Sequence, residues 1–193
     1  SCFFIDDAVI ANCFAQETVP GKNGAEHLAR QVFDRDRGQT TEASVTMVLV
    51  NRKDKKKTRI FNSLRVMTND REKTMIRFIS PAEVDGTGFL TIEDEQLDTS
   101  QFIFLPALRR TRRIVSSQKN QAFVNSDFTY EDMERHPVKN YAYQLKPDTV
   151  VENMDCFVLE ARPKTGIESQ YGLTVSYISK KTLVPIRVLY YDK

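Results

Sequence analysis

From residue 41 onward, apolar and polar side chains alternate in short runs separated by charged or turn-forming clusters. This two-residue period predicts β-strands. Residues 41–50 (TEASVTMVLV) are rich in β-branched side chains, with Val45, Met47 and Leu49 on one side and Thr46, Val48 and Val50 on the other. The charged run 51–57 (NRKDKKK) reads as a hairpin turn, 58–68 as its return strand, and Asn69-Asp70 as the next tight turn. Further strands are predicted over 73–80, 88–92, 100–105, 112–115, 139–145, 150–161, 171–179 and 184–191. A helical spacing of Leu28 and Val32, with Phe33 beside them, predicts a helix over 25–36. A short second helix is expected over 127–134, with Ser126 or Asp127 as N-cap, ended by His136-Pro137. Residues 116–126 read as polar and flexible. Strand following strand with short polar turns is the mark of an antiparallel, mainly β fold.

Several strands are apolar on both parities. Phe61 and Met67 oppose Ile60 and Leu64, Met75 and Ile79 oppose Ile76 and Phe78, and Phe102 and Phe104 oppose Ile103 and Leu105. A sheet with one wet face would alternate cleanly. Here both faces want to leave water, and one helix cannot cover a large sheet. A barrel with an apolar interior, a second sheet, a bound apolar ligand and a core filled by the protein's own side chains all satisfy that demand.

Length and composition narrow the classes. The 193 residues, 40% hydrophobic and 28% charged, suit one folded domain, taken as 24–193 after a leader and linker over 1–23. A net charge of +2 gives no electrostatic case for nucleic-acid binding. The cysteines, Cys2, Cys13 and Cys156, form neither a C-x-x-C nor a Cys/His cluster, and Cys156 reads as a small core residue. No apolar run reaches the roughly 20 residues that a membrane helix needs. Residues 1–15 read either as a degraded export signal, with Cys13-Phe14-Ala15 as a cleavage site, or as a disordered leader. Asp6 and Asp7 interrupt the apolar stretch and no basic region precedes it.

Candidate chemistry is sparse. Arg109, Arg110, Arg112 and Arg113 fall on both parities of one segment, so some of them need partners or water. Arginine forks bind phosphate or carboxylate, which suits a lipid headgroup or an acidic partner. The structural alternative is pairing with Asp127, Glu131 and Asp132. Gly86-Thr87-Gly88 lacks the third glycine and the following helix of a dinucleotide site, and reads as a turn or bulge. His27 reads as a solvent-facing helix residue and His136 lies in a loop. There is no nucleophile-elbow serine motif and no H-E-x-x-H. The acid pairs sit in turns, in the leader or on a helix surface. No catalytic residue, metal or cofactor is expected.

The strings Gly86-Thr87-Gly88-Phe89-Leu90, Leu105-Pro106-Ala107-Leu108-Arg109-Arg110 with Arg112-Arg113-Ile114, and Ser126-Asp127-Phe128-Thr129-Tyr130-Glu131-Asp132 resemble the outer-membrane lipoprotein-sorting proteins related to LolA and LolB. Phe33-Asp34-Arg35-Asp36 and the closing 185–192 fit too, so the likeness runs from about residue 24 to the end. The resemblance implies a strongly curved antiparallel sheet, an incomplete barrel with helices plugging its concave side, in a periplasmic protein. It also implies a carrier of lipoprotein or lipid cargo in an apolar cavity, with transient membrane contact and an inner-membrane transporter of the resistance-nodulation-division type as partner. It implies a cavity rather than a filled core. On that basis, and on alternation alone, the expected lining is Met47, Leu49, Leu64, Val66, Ile76, Phe78, Phe102 and Phe104, with Phe128 and Tyr130 near a lid. A slip of one residue in any strand would invert its face. Arg109, Arg110, Arg112 and Arg113 are expected to dock a headgroup or partner. The rival reading is an envelope adaptor or structural protein that binds through this arginine segment or a free sheet edge.

Overall fold

The computed structural model describes residues 24–193. The export-signal reading of 1–15, and with it Cys2 and Cys13, lies outside the described residues. The described chain forms two compact units, one spanning Arg37–Arg135 and the other combining 24–36 with His136–Lys193. Each is mainly β and antiparallel, as the alternation predicts, and neither sheet closes into a barrel.

The first unit is a six-stranded meander in sequence order: β1 (Thr40–Val50), β2 (Lys56–Thr68), β3 (Arg71–Ser80), β4 (Gly88–Glu93), β5 (Thr99–Leu105) and β6 (Arg110–Ile114). Local chemistry sets each turn. Asn51 Oδ1 accepts the backbone N–H groups of Lys53 and Lys55 at 2.9 and 3.1 Å, closing the lysine-rich loop. Asn69 and Asp70 both take positive φ, 51° and 58°, as a two-residue hairpin turn requires. Asp94 Oδ1 accepts the N–H groups of Gln96 and Asp98, each at 2.9 Å, between β4 and β5. Gly86, at φ 74°, admits the close approach of Pro106, whose Cγ would lie 3.2 Å from any Cβ there.

The register fixes which parity is buried. Val45 pairs with Phe61, Phe61 with Phe78, Ile76 with Phe89 and Phe89 with Ile103, so these side chains share one face. That face is covered by residues 115–135, which form short 3-10 turns (Ser116–Gln118, Phe123–Asn125, Glu131–Met133) rather than the expected flexible stretch and helix. An eight-residue helix has too few internal hydrogen bonds to offset its nucleation. Here tertiary bonds take the backbone instead. Phe123 N–H donates to Phe128 O at 2.7 Å, Ala122 and Thr129 form a bridge, and Asp132 Oδ2 accepts the Thr129 N–H at 2.7 Å. The result inserts Phe123 and Tyr130 into an aromatic cluster. Phe123 lies 4.9 Å from Phe89 and 6.0 Å from fully buried Phe78, with Tyr130 5.7 Å from Phe89. Each such buried ring contributes about 1.5–3 kcal/mol.

Two buried polar side chains tie this cover down. Arg59 donates to Val124 O, and Gln101 Nε2 donates to Tyr130 O at 2.7 Å. At one end of the same face, Glu72 sits among Arg37, Arg65 and Arg135, and Arg135 Nη1 reaches Glu93 Oε2 at 3.1 Å. Glu93 also accepts the Glu72 N–H at 2.7 Å. Charges on the core parity are tolerated because they are met by opposite charges or backbone groups.

The second unit holds α1 (Gly24–Phe33) and a four-stranded sheet of β7 (Tyr141–Val151), β8 (Met154–Pro163), β9 (Tyr171–Ser179) and β10 (Pro185–Asp192), in the order β10-β9-β8-β7. α1 ends earlier than the predicted 36, where Arg35 Nη1 takes the otherwise orphaned Val32 carbonyl at 2.7 Å. Its buried Leu28 and Ala29 pack with Val138, Leu159 and Ile178. The run 150–161, read above as one strand, is broken by a hairpin turn. Glu152 and Asn153 adopt φ 51° and 61° with no glycine to announce it. Pro147, which cannot donate to a ladder, sits at the register shift between Lys146 and Thr149. Cys156 is fully buried on β8, as expected.

Candidate functional site

Among the described residues no segment packs over the other face of the six-stranded sheet, and this face is also largely apolar. Cross-strand pairing sets Leu64, Met75, Leu90 and Phe102 side by side in one row, with Arg113 next on β6. The neighbouring row runs Asn62, Arg77, Gly88, Phe104, Thr111. Ile60, Leu64, Met75, Ile79 and Phe104 are each between 37% and 48% exposed, so water meets a largely apolar surface interrupted by Asn62 and Arg77. Contiguous exposed patches of this kind mark binding surfaces.

Within it lies a groove of about 380 Å³ lined by Met75, Gly88, Leu90, Ile92, Phe102, Phe104 and Thr111. That volume is in the range of about 300–1,000 Å³ seen for small-molecule sites. Gly88 makes the floor. A Cβ at this position would stand 3.1 Å from Met75 Cε and 3.6 Å from Phe104 Cβ, so the missing side chain is what keeps the depression open.

The sequence-predicted residues divide between the two faces. Met47, Ile76 and Phe78 are buried in the covered core with Tyr130, and Leu49 and Phe128 pack against it. Leu64, Val66, Phe102 and Phe104 lie on the open face, and the last two line the groove. The structure therefore does not bring the ten together. Met75, Gly88, Leu90 and Ile92 were missed. Met75 sits on the parity of β3 opposite the expected Ile76 and Phe78, and the doubled apolar pattern of 75–79 is the signal for it; Gly88, Leu90 and Ile92 belong to β4, from which alternation offers no lining residue.

The four arginines are all exposed but point differently. Arg109 occupies the left-handed position, φ 47°, after the turn Pro106–Leu108. Arg110 and Arg112 pair with Leu105 and Ile103 and take the core parity at the sheet margin. Arg113 alone is on the groove face, where it donates to Ser100 Oγ at 3.3 Å. The ion pairs of the described residues do not join these arginines to Asp127, Glu131 or Asp132.

Within the six-stranded unit the titration shifts belong to the covered side, not to the groove. Burial raises the Glu93 carboxyl above its ordinary value, opposed by the Glu72 N–H and Arg135. Burial likewise raises Glu134 and the Tyr130 phenol and lowers Arg59. His27 is exposed on α1, and His136 Nδ1 lies 3.2 Å from the Tyr141 hydroxyl. Among the described residues no group of three or more His, Cys, Asp or Glu could hold a metal ion, and no helix is long and apolar enough to cross a membrane. The groove wall consists of methyl, methylene, thioether and phenyl groups, with the Thr111 hydroxyl as its one polar side chain.

Comparison with known proteins places this geometry. A family described as "Uncharacterized protein" matches residues 70–193. The structure of a DUF1329 family protein from Desulfovibrio piger is similar, with 32% identity, a TM-score of 0.82, and coverage of 91% of this chain and 75% of that one. A putative outer membrane lipoprotein-sorting protein domain from Vibrio parahaemolyticus is 30% identical, with a TM-score of 0.78, over 88% of this chain and 72% of that one. This chain belongs to the outer-membrane lipoprotein-sorting protein family, and its fold is LolA-like. A LolA superfamily protein from Nitrosomonas europaea shares the fold alone, at 15% identity and a TM-score of 0.60 over 87% of this chain and 71% of that one. No curated protein matches. Within this protein, the region matched by the family contains all of β3 to β10, and so every residue lining the groove.

Proposed function

We propose that this LolA-like protein is a non-enzymatic carrier that holds an acyl chain of a lipoprotein or lipid in the groove of the six-stranded sheet. The observation that carries the reading is the apolar groove floored by Gly88 on an otherwise uncovered apolar face. Its lining is wholly unlike a catalytic cleft, and its neighbours in structure include a lipoprotein-sorting domain. Burying methylenes is worth about 0.8 kcal/mol each, so a bound chain needs little polar recognition. The carrier would work in the periplasm, moving its cargo between membranes, with transient membrane contact and an inner-membrane transporter as donor or acceptor.

The covered core is a poor place for cargo. Phe78 and Phe123 are both essentially without solvent exposure, and entry would require Arg59 and Gln101 to release the 115–135 cover. The test is displacement of a fluorescent fatty acid from wild-type protein and from Phe104→Asp. A carboxylate in the groove should abolish binding while the far-ultraviolet circular dichroism stays unchanged. Wild-type affinity in the folded variant would remove the groove from the mechanism.

A second reading rests on Arg110 and Arg112, exposed on the end strand of the six-stranded sheet. Together with the side of that strand that pairs with no other strand among the described residues, they suit an acidic partner in an adaptor role. Retained lipid binding by Arg110→Ala/Arg112→Ala protein separates this docking role from cargo binding.

A further inference from the structure

We infer that the groove selects lipids with a net negative headgroup, through a cationic rim made of Lys73, Arg77 and Arg113. This rests on the acyl-carrier reading of the same groove and names its ligand class.

The register supplies the argument. On the groove face, β3 presents Arg71, Lys73, Met75, Arg77 and Ile79; β4 presents Gly88, Leu90 and Ile92; β5 presents Ser100, Phe102 and Phe104; β6 presents Thr111 and Arg113. Every charged side chain among these is a cation. Arg71 pairs with Glu95 at 3.8 Å. Lys73, Arg77 and Arg113 are exposed, and among the described residues none of them makes an ion pair.

Their placement follows the groove. Lys73 is cross-strand partner of Ile92, Arg77 of Gly88, and Arg113 of Phe102, so each cation adjoins a residue of the lining. Strands lie about 4.8 Å apart, which puts β3 and β6 about 14 Å from each other. A chain lying in the groove therefore ends near a cation whichever way it runs. Arginine offers a planar fork to phosphate oxygens, and lysine a mobile point charge. The rest of the chain does not explain the bias, since the overall net charge is only +2.

The experiment compares matched short-chain lysolipids, one with a phosphoglycerol and one with a phosphocholine headgroup. Each is kept below its micelle-forming concentration, so that adsorption to aggregates plays no part. Three exposed charge contacts give about a tenfold preference for the anionic lipid at low salt, shrinking as salt rises. In Lys73→Gln/Arg77→Gln/Arg113→Gln protein the preference should vanish, because phosphoglycerol-lipid affinity falls to that of the phosphocholine lipid, whose shared phosphate is offset by its own choline cation. Equal affinities in the wild type, or a preference that survives the triple substitution, would overturn the headgroup assignment. Gly88→Leu separates the two claims. If it leaves phosphocholine-lipid binding intact, the groove reading itself has failed. If it blocks both lipids and the wild type binds them equally, only the cationic rim has failed.

Discussion

Filling the groove from its floor is the sharpest perturbation the structure offers. Gly88 lies on β4 with no positive φ, so a side chain there meets no backbone strain. The nearest obstacle is Met75 Cε at 3.1 Å, the far end of a flexible side chain, which need move only a few tenths of an ångström. Leucine at this position adds four carbons to a groove of about 380 Å³ and takes the place of about four methylenes of a bound chain. At about 0.8 kcal/mol for each, Gly88→Leu should weaken acyl binding by about 3 kcal/mol, or about two hundredfold. Stability should not fall, because glycine within a strand costs about 0.5–1 kcal/mol relative to alanine. The assay is fluorescent fatty-acid displacement alongside thermal unfolding. Wild-type affinity in a variant that melts at or above the wild-type temperature would refute the placement of the chain.

Two further predictions probe the covered side. Phe78→Ala removes a ring with no solvent exposure whose centroid lies 5.1 Å from that of the tilted Phe61 ring, and should cost about 3–5 kcal/mol in denaturant unfolding while leaving lipid affinity intact in the folded protein; a loss below about 1 kcal/mol would mean this core is not packed as described. Glu93 has its folded value raised above the ordinary 4.5, so between those two values the folded state holds more protons than the unfolded one, and stability declines as pH climbs through that window. Glu93→Gln should flatten part of this decline in urea midpoints measured from pH 4.5 upward, with Glu134, shifted the same way, accounting for what is left; identical pH profiles would contradict the burial of this carboxyl.

Much of the secondary structure was legible because its determinants are local. The alternation over 41–50, the Asn69-Asp70 turn, and the apolar stripe of α1 each act over a few residues, and each appears in the fold. The hairpin at Glu152–Asn153 was invisible because asparagine tolerates a left-handed backbone without advertising it as glycine does. The helix expected over 127–134 failed for another reason. Phe128 and Tyr130 have an obligation to the aromatic cluster that helical spacing cannot meet, and that obligation is set by β-strands far away in sequence.

The sequence by itself determined a mainly β, antiparallel, LolA-like protein, and it showed that both faces of its central strands are apolar. Side chains of one strand have a period of two, so composition alone reveals that two faces exist and what each is made of. Which face is covered was decided only by tertiary structure. The 115–135 segment can lie on one side of the sheet only, and Arg59 and Gln101 hold it on the side of Phe78 and Phe89. The opposite side is thereby left open over Gly88, with Lys73, Arg77 and Arg113 around it, a juxtaposition of three strands that no local pattern encodes.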